Sequence, residues 1–491
     1  QQQQQQQQQQ GGGGGKKAKG GKSKGGAAEE KAPEPLSAEE VAKLQENFDL
    51  VRSVGEECVT EDDLRNLLQK KPAFRLYDGF EPSGRMHIAQ GIFKAKNVNK
   101  CTRAGGTFVF WVADWFALMN DKMGGDLVKI KDVGQYFVQV WTAAGMDMSK
   151  CEFRWASDDI TNSADKYWPK MLDIARRFTV ARIKKCCTIM GRAENKLSVA
   201  QILYPIMQCT DIFFLRADIC QLGVDQRKVN MLAREYCDAA GIKLKPVILS
   251  HHMLYGLKAG QAKMSKSDPD SAIFMEDSKD DIIRKINAAY CPLKPEVEKA
   301  TADQSEIRLV EDDLKNPCLD YIEHIVMSLP EATFTAAGTT YQEFEQVKAD
   351  FLSEKLSEAA LKEGLIEAVE ELVAPVRNHF TDNPEAKALL ERIQQYKKEG
   401  NLPPVGGGAA LRRGHFTDES KPVHVVLAPM PSAQLTIGAV FTTLRELKAA
   451  PEGAEVVLWL RDWSAMVTNA LGGDVKLIMH ANTLFVEALK A

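Results

Sequence analysis

The 491-residue sequence lacks the features of a membrane protein and of a disulfide-bonded protein. It contains no run of about 18 apolar residues, so we expect no membrane-spanning helix. Its ten cysteines include no Cys-x-x-Cys pair, and Cys186 and Cys187 are adjacent rather than spaced as zinc ligands. We also expect no signal peptide. These absences predict reduced thiols, no protein-bound metal and a cytoplasmic location.

The sequence also lacks a strong charge of either sign. The net charge of −4 excludes a general polycation, so any contact with nucleic acid must use local basic patches. The chain begins with Gln1 rather than Met, and we therefore expect it to be part of a longer protein.

Composition and hydrophobic pattern divide the chain into five predicted segments. A tail rich in Gln, Gly and Lys covers residues 1–36, either as a solvated segment or as an arm that attracts RNA phosphates. Two N-terminal helices and an α/β domain cover 37–277, and an α-helical domain without strands covers 278–400. A Gly/Pro linker at 401–421 precedes 422–491, where the strand-and-helix pattern returns.

The predicted α/β domain alternates buried strands with amphipathic helices. "FVFWVAD" (108–114) and "KPVILS" (245–250) are short apolar runs, and helical patterns occupy 126–144 and 226–240. Alternation of this kind predicts a Rossmann-like, doubly wound parallel sheet. Ser37 and Thr60 are predicted N-caps of the two preceding helices.

Two stretches of this domain carry groups suited to phosphate chemistry. "YDGFEPSGRMHIAQG" (77–91) is a strand, a Gly/Pro turn and a helix that begins near His87, and helix N-termini favour anions. "AKMSKSDPDS" (262–271) sets Lys263 and Lys266 in a loop of small polar residues. Alone, each would be interpreted as a capped helix or a solvated loop. Their combination about 175 residues apart is far more specific.

Together the two stretches resemble the two signatures of class I aminoacyl-tRNA synthetases. "YPIMQCTD" (204–211) and "GVDQRK" (223–228) resemble the tyrosyl-tRNA synthetases of the archaeal and eukaryotic cytosolic type. The resemblance covers residues 40–400 as one enzyme subunit and 422–491 as the start of a second. It implies ATP-dependent formation of tyrosyl-adenylate, release of pyrophosphate, and transfer of tyrosine to the 3′ end of tRNA(Tyr).

The resemblance also implies ligands, partners and site residues. ATP would arrive with Mg²⁺ as substrate, without a tightly bound cofactor, and the helical domain would read the anticodon. The enzyme would be a homodimer or an intramolecular pseudo-dimer. The implied tyrosine-binding residues are Tyr77, Tyr204, Gln208, Asp211 and Gln226. The implied ATP-binding residues are Gly79, His87, Gly223, Asp225, Met264 and Lys266, and the implied catalytic residues are His87, Lys263 and Lys266.

Some residues depart from the family pattern or carry no predicted role. Gln90 stands where the first signature often has a second histidine, and Leu222 stands where many relatives have glycine. The remaining conspicuous histidines are interpreted as loop or helix-surface residues, namely His251, His252, His324 and His379. The tryptophans are interpreted as core or interface residues, namely Trp111, Trp115, Trp141, Trp155 and Trp168.

The C-terminal segment repeats part of the α/β domain. "WVADWFALMNDKMGGD" (111–126) matches "WLRDWSAMVTNALGGD" (459–474) at both tryptophans, the aspartate between them and the Gly-Gly-Asp end. A second match, of Pro82-Ser83 with Pro431-Ser432, pairs Tyr77 with Val426 and His87 with Thr436. We therefore predict a repeat that keeps the scaffold and has lost the chemistry, with one active site in the first copy.

Three other functions are compatible with parts of the pattern. A tryptophanyl-tRNA synthetase shares both signatures, but Tyr77 with Asp211 suits a hydroxyl better than an indole, which needs one acceptor. A non-catalytic RNA-binding scaffold gives no reason to keep His87, Lys263 and Lys266. A nucleotidylyltransferase of the same superfamily gives no reason for the predicted tyrosine-binding set.

Overall fold

The computed structural model describes most of the chain from residue 37 onward. The described residues are 37–187, 197–261, 263–264, 268–294, 315–399, 423–432, 434–461, 464–465, 468 and 470–490. The predicted tail (1–36) and linker (401–421) lie outside them, as does Lys266. The compact unit considered below begins at Leu44. Within the described residues, no helix has the length and apolarity needed to cross a membrane.

Strands and helices alternate through the first half of the chain and helices dominate the second. The strands are β1 Glu57–Val59, β2 Arg75–Phe80, β3 Thr107–Val112, β4 Cys151–Trp155, β5 Ile219–Cys220, β6 Val247–Ser250, β7 Phe334–Ala336, β8 Thr339–Tyr341, β9 Val423–Leu427 and β10 Glu455–Trp459. The helices are α1 Ala38–Arg52, α2 Glu61–Lys70, α3 Lys94–Arg103, α4 Asp114–Met119, α5 Leu127–Ala143, α6 Ala156–Asn162, α7 Ala164–Arg177, α8 Val180–Cys187, α9 Val199–Phe214, α10 Arg227–Ala240, α11 Lys279–Asn287, α12 Pro317–Tyr321, α13 Phe344–Leu352, α14 Glu358–Asp382, α15 Pro384–Glu399, α16 Ile437–Lys448 and α17 Val475–Lys490.

The central sheet has six strands in the order β1-β6-β5-β2-β3-β4. Strands β6 to β4 are mutually parallel, with Tyr77 opposite Val109 and Cys220 opposite Ile248. The predicted parallel α/β fold is therefore confirmed. The short edge strand β1, which pairs antiparallel with β6, was not predicted.

Strand β3 shows why the sheet is covered on both faces. Phe110 belongs to one hydrophobic layer and stacks on Phe153 at 5.0 Å and on Trp141 at 4.5 Å. Val109 and Trp111 point into the other layer. A strand buried on both faces needs apolar residues at every position, which accounts for the uninterrupted run in the sequence.

The predicted helix caps are present. The Ser37 hydroxyl accepts from the Glu40 backbone N–H, and the Glu40 carboxylate accepts from the Ser37 N–H at 2.8 Å. The Thr60 hydroxyl accepts from the Asp63 N–H at 3.1 Å. Each cap satisfies a backbone donor that the first helical turn leaves free.

The prediction of a second domain without strands is wrong at one place. Strands β7 and β8 form an antiparallel hairpin, with Phe334 opposite Tyr341. Its two-residue turn places Ala337 at φ 50° and Gly338 at φ 76°, as a hairpin turn of the primed type requires. The other described elements between 278 and 400 are helical, and the domain boundaries stay a prediction.

The Asp132 carboxylate on α5 forms hydrogen bonds with two side chains of α15. The Asp132 carboxylate accepts from Arg392 Nε at 3.0 Å and from the Tyr396 hydroxyl at 2.7 Å. Burial alone would raise the pKa of Asp132, but these two donors lower it below its usual value. The contact therefore stabilises the folded chain only while the carboxyl is ionised.

We expect Asp132→Asn to lower the free energy of unfolding by about 1 kcal/mol at pH 7, because a charged hydrogen-bond acceptor is lost. The folded-state pKa of Asp132 lies below its unfolded value of about 3.9, so the contribution is present above that pH and is lost as the pH falls further. Urea unfolding at pH 7 and pH 3 measures this. Asp158→Asn, in an exposed pair with Lys131, is the matched control. A difference between wild type and Asp132→Asn that does not shrink at pH 3 would contradict the assignment.

The C-terminal repeat reproduces the backbone of the first copy. Strands β9 and β10 pair in parallel as β2 and β3 do. Met123 and Leu471 hold matching left-handed conformations, with φ of 52° and 51°. Asp126 caps α5 by accepting from the Val128 N–H, and Asp474 caps α17 by accepting from the Lys476 N–H, both at 2.9 Å. The repeated Gly-Gly-Asp is thus a turn and a helix cap.

The strand register corrects one detail of the predicted alignment. Trp111 lies opposite Gly79, and Trp459 lies opposite Leu427. With the tryptophans matched, the residue that corresponds to Tyr77 is Val425 rather than Val426. The extra residue of the repeat falls in the loop after β9. Thr436, predicted to match His87, is the N-cap of α16.

Candidate active site

Two adjoining cavities open at the carboxyl ends of the parallel strands. The larger, of about 340 Å³, is lined from the end of β2, the start of the following helix, the loops after β5 and β6, and Lys263 with Met264. The smaller, of about 250 Å³, extends between α9 and the loop after β5. Both are lined by Glu81, Lys122, Tyr204, Gln208, Asp225 and Gln226. Strand carboxyl ends are the usual ligand site of doubly wound sheets.

The structure brings most of the predicted site residues together. Those that line the cavities are Gly79, His87, Tyr204, Gln208, Gly223, Asp225, Gln226, Lys263 and Met264. Tyr77 and Asp211 line neither cavity and are completely buried beside them. A Cβ built on the cavity-lining Gly79 would lie 2.8 Å from the Tyr77 hydroxyl, so that hydroxyl lies directly behind the cavity wall.

Tyr77 and Asp211 present buried polar atoms with unused hydrogen-bonding capacity. Within the described part of the chain, neither the Tyr77 hydroxyl nor Asp211 Oδ2 has a hydrogen-bond partner. The other oxygen, Asp211 Oδ1, accepts from the Tyr167 hydroxyl at 2.7 Å. Burial raises the pKa of Asp211, and the Tyr167 hydroxyl and the nearby Trp111 indole oppose that shift. Unpaired buried polar atoms are costly, so this pair is suited to receive a ligand hydroxyl.

Helix α9 places three of the predicted residues on one face. Tyr204, Gln208 and Asp211 follow a spacing of four and then three residues, which keeps side chains on the same side of a helix. Gln208 Nε2 donates to Gln226 Oε1 at 3.2 Å across the cavity. Ser198 and Gln201 form a capping box that fixes the start of the helix.

Two further residues of this pocket were missed by the sequence analysis. Glu81 lines both cavities, accepts from Asn120 Nδ2 at 2.6 Å and forms a hydrogen bond with Tyr204. Tyr167 orients the Asp211 carboxylate. Glu81 lies inside the first signature (77–91), but its spacing from the other residues of that stretch does not indicate a role in binding. Tyr167 lies on α7 and reaches the site only through the fold.

The helix begins near His87, as predicted, and His87 lies two residues before its first residue, Ala89. The His87 carbonyl accepts from the Gln90 and Gly91 N–H groups at 2.9 and 3.0 Å, and the first turn is a π-helix at Ala89–Phe93. His87 also forms a β-bridge with Phe274. The first signature is therefore held against the segment that follows the second.

A backbone hydrogen bond joins the two ends of the segment that contains Lys263 and Met264. Leu257 N–H donates to the Ser271 carbonyl at 2.9 Å. Burial raises the pKa of Asp225, and the positive charge of Lys263 opposes that shift. Lys263 is therefore close enough to Asp225 for their charges to interact.

The two departures from the family pattern have structural roles. The Gln90 carbonyl accepts from Trp141 Nε1 at 2.7 Å, and the Gln90 side chain lines the larger cavity. Leu222 is buried and lines the same cavity. Trp111 and Trp141 are buried core residues, as predicted.

His251 and His252 lie in the loop after β6, as interpreted, but these two side chains and His324 are partly buried and make specific contacts. His251 Nδ1 lies 2.8 Å from Gln221 Nε2, and Gln221 Oε1 accepts from the buried Lys94 at 2.6 Å. Lys94 also pairs with Asp78 at 2.5 Å in the wall of the larger cavity. His252 and His324 stack at 4.3 Å. Local sequence patterns could not predict these contacts, because the partners come from distant elements.

Comparison with known proteins gives the family of the chain. The family of class I tRNA synthetases for tryptophan and tyrosine matches residues 69–374. Tyrosine–tRNA ligase 1, cytoplasmic, of Arabidopsis thaliana is 54% identical over 362 residues, which cover 72% of this chain and 90% of that protein. Tyrosine–tRNA ligase 2, cytoplasmic, of the same plant is 42% identical over 496 aligned residues, which cover 91% of this chain and 64% of that protein.

A solved structure extends the similarity to the repeat. Leishmania major tyrosyl-tRNA synthetase in complex with tyrosinol matches with a TM-score of 0.78 and 54% identity, covering 91% of this chain and 75% of that chain. A share of 91% is more than residues 1–400 could supply, so the match includes part of the C-terminal repeat. The chain belongs to the class I tRNA synthetases of the tryptophan and tyrosine family, and within that family to the tyrosyl-tRNA synthetases.

Proposed function

We propose that the chain ligates L-tyrosine to tRNA(Tyr) through a tyrosyl-adenylate formed from ATP. The observation that carries this proposal is the buried pair of Tyr77 and Asp211, whose unused hydroxyl and carboxylate oxygen lie behind a pocket lined by Tyr204, Gln208 and Gln226. A tyrosine hydroxyl would satisfy both groups. The relatives named above are tyrosine–tRNA ligases, two of them cytoplasmic, and we place this chain in the cytoplasm with them.

The smaller cavity fits the amino end of the substrate. Glu81 and the amide oxygen Gln208 Oε1 are acceptors for an ammonium group, and Gln208 Oε1 is buried without a partner among the described residues. Holding the ammonium there would direct the substrate carboxylate toward the larger cavity. Orientation of this kind converts an encounter of two substrates into a reaction within one complex.

The larger cavity fits ATP, which would arrive with Mg²⁺ as part of the substrate. The tyrosine carboxylate attacks the α-phosphate, a phosphorus–oxygen bond to pyrophosphate breaks, and negative charge grows on the leaving group. Lys263 and His87 line the cavity as cationic or hydrogen-bonding donors for that charge. Gly79, Gly223, Asp225 and Met264 would surround the nucleoside. Lys266 keeps its proposed role but lies outside the described residues.

The test is ATP–pyrophosphate exchange with single amino acids. We expect exchange with tyrosine and none with tryptophan or phenylalanine. Exchange with tryptophan alone would refute the assignment in favour of the tryptophanyl enzyme. Tight tRNA binding without exchange would instead support a non-catalytic scaffold.

Gly223, at the wall of the larger cavity, allows a prediction for the KM for ATP. A Cβ built on Gly223 would lie 2.8 Å from both Asp225 Oδ1 and Met253 Sδ. Gly223→Ala should therefore displace the Asp225 loop and raise the KM for ATP by about 10-fold, because overpacking of this kind costs about 1–3 kcal/mol. Exchange rates at varied ATP measure it. Gly438→Ala, whose Cβ would meet nothing within 4 Å, is the control. An unchanged KM for ATP would contradict the proposed nucleotide position.

We also propose that the C-terminal repeat serves as the start of a partner subunit in cis. It keeps the strand pairing and the helix cap of the first copy, while Val425 and Thr436 replace the tyrosine- and phosphate-binding side chains. A protein with a complete second copy would then form an intramolecular pseudo-dimer. Light scattering of such a protein should give the mass of one chain. A stable dimer of double-length chains would contradict this.

A further inference from the structure

Four side chains with metal-binding groups meet at one side of the larger cavity. His252 follows β6, and Glu56 precedes β1. Asp320 lies on α12, and His324 lies in the π-turn Ile322–Val326 that continues it. One donor atom each from His252, Asp320 and His324 lies within 4.8 Å of the others. Residues almost 270 positions apart in sequence therefore converge on one point.

The distances are those of a site that needs only small adjustments to hold a metal ion. Asp320 Oδ1 lies 2.7 Å from His252 Nε2 and 3.6 Å from His324 Nε2. In a tetrahedral zinc site with bonds of about 2.0–2.2 Å, neighbouring ligand atoms lie roughly 3.3 Å apart. The two observed distances lie on either side of that value.

The surroundings orient each donor. Glu56 Oε2 lies 3.1 Å from His252 Nδ1, so the carboxylate fixes that proton and leaves Nε2 to face Asp320. The second oxygen of Asp320 accepts from the Tyr255 N–H at 2.9 Å. A carboxylate behind a ligating imidazole is the usual outer shell of zinc–histidine sites.

One metal-binding atom of this cluster, His324 Nε2, is not used in a hydrogen bond. Among the described residues, the His324 ring has no hydrogen-bond partner, since its Nε2 lies 3.6 Å from Asp320 and 3.9 Å from Glu323. Its ring stacks on His252 at 4.3 Å, which disfavours a positive charge on both rings. A divalent ion would use both imidazoles in their neutral form and balance the charges of Asp320 and Glu56.

We propose that His252, Asp320 and His324 bind a zinc ion, with Glu56 as the outer carboxylate. Two imidazoles and one carboxylate suit zinc, and three protein ligands leave the fourth position for water. The ion would join the loop after β6, which lines the larger cavity, to the α12 segment of the helical region. His252 lines the larger cavity, but none of the four residues is among the proposed tyrosine and ATP contacts, and the metal site stands independently of the proposed function.

The test uses the full chain, stripped of metal with a chelator and titrated with zinc, and with cobalt as a spectroscopic probe. We expect one ion per chain and the visible absorption of four-coordinate cobalt. His324→Gln should abolish this binding, and Glu56→Gln should weaken it about 10–100-fold, as loss of an outer carboxylate does. His379→Gln is the matched control, because His379 bonds to Gln139 on the helical surface.

Two outcomes would overturn the proposal. One is the absence of stoichiometric binding by the wild-type chain, which would leave His252 as an imidazolium bridging Glu56 and Asp320. The other is equal binding by wild type, Glu56→Gln and His324→Gln, which would place the ion elsewhere, for example on the free cysteines. Circular dichroism confirms that each variant is folded. If His324→Gln fails to fold, the binding of Glu56→Gln relative to wild type decides the outcome.

Discussion

Asp211→Asn should lower kcat/KM for tyrosine activation by about 100-fold, because a buried polar group left without its hydrogen-bond partner costs about 1–3 kcal/mol. The asparagine has the same shape and keeps the contact with Tyr167, so the pocket stays intact. What it lacks is the acceptor oxygen that faces the substrate hydroxyl. ATP–pyrophosphate exchange over a range of tyrosine concentrations measures the change.

The same variant should also discriminate less well between tyrosine and phenylalanine. Rejection of phenylalanine by about 10⁵-fold is the established behaviour of tyrosyl-tRNA synthetases and is not obtained from this structure. Loss of one of two groups that recognise the hydroxyl should reduce that ratio to roughly 10³, because phenylalanine then leaves fewer buried groups unpaired.

Two tyrosine variants separate recognition from folding. Tyr77→Phe removes the other group of the pair and should act on tyrosine in the same direction as Asp211→Asn. Tyr236→Phe removes a buried hydrogen bond of 2.6 Å to Asp173, away from the cavities, and should lower stability without changing discrimination. If Asp211→Asn and Tyr236→Phe both leave the tyrosine-to-phenylalanine ratio unchanged, Asp211 does not contact the substrate hydroxyl.

Lys263→Met should lower the rate of adenylate formation by about 10²–10³-fold, the usual effect of removing one fixed donor from a developing negative charge. The methionine side chain retains the length and loses the charge. The KM for tyrosine should stay within about two-fold of wild type, because Lys263 lines the larger cavity and not the smaller one. Single-turnover measurement of adenylate formation isolates this step.

Lys258→Met is the matched control for this prediction. Lys258 lies in the same segment and pairs with Asp268 at 2.8 Å, outside both cavities. Its replacement should leave adenylate formation nearly unchanged. Equal losses in the two variants would show that the charge of the segment, and not the position of Lys263, is responsible.

Local patterns in the sequence predicted the elements that build the site. The apolar run of β3 and the caps at Ser37 and Thr60 depend on neighbouring residues, so they could be identified without the fold. Likewise, the spacing of Tyr204, Gln208 and Asp211 places them on one helical face whatever that helix packs against.

Contacts between distant segments could not be predicted in this way. His252 and Asp320 are 68 positions apart, and only the packing of α12 beside the loop after β6 brings them together. The hairpin at β7 and β8 is short, and its Ala-Gly turn is a weaker signal than Asn-Gly. The one-residue shift in the repeat followed from strand register, which the aligned letters alone do not determine.

The hydrogen bond between Leu257 and Ser271 has a consequence for how Lys263 meets a nucleotide. Joining the ends of an unfolded stretch of about 13 residues costs ~2 kcal/mol of chain entropy, and here that entropy is already lost when Leu257 and Ser271 pair on folding. The lysine is therefore present near the cavity at an effective concentration of millimolar order or above, whatever the bulk concentration of the protein. A change in the length of this segment alters that concentration only slowly, since doubling the length costs about 0.6 kcal/mol.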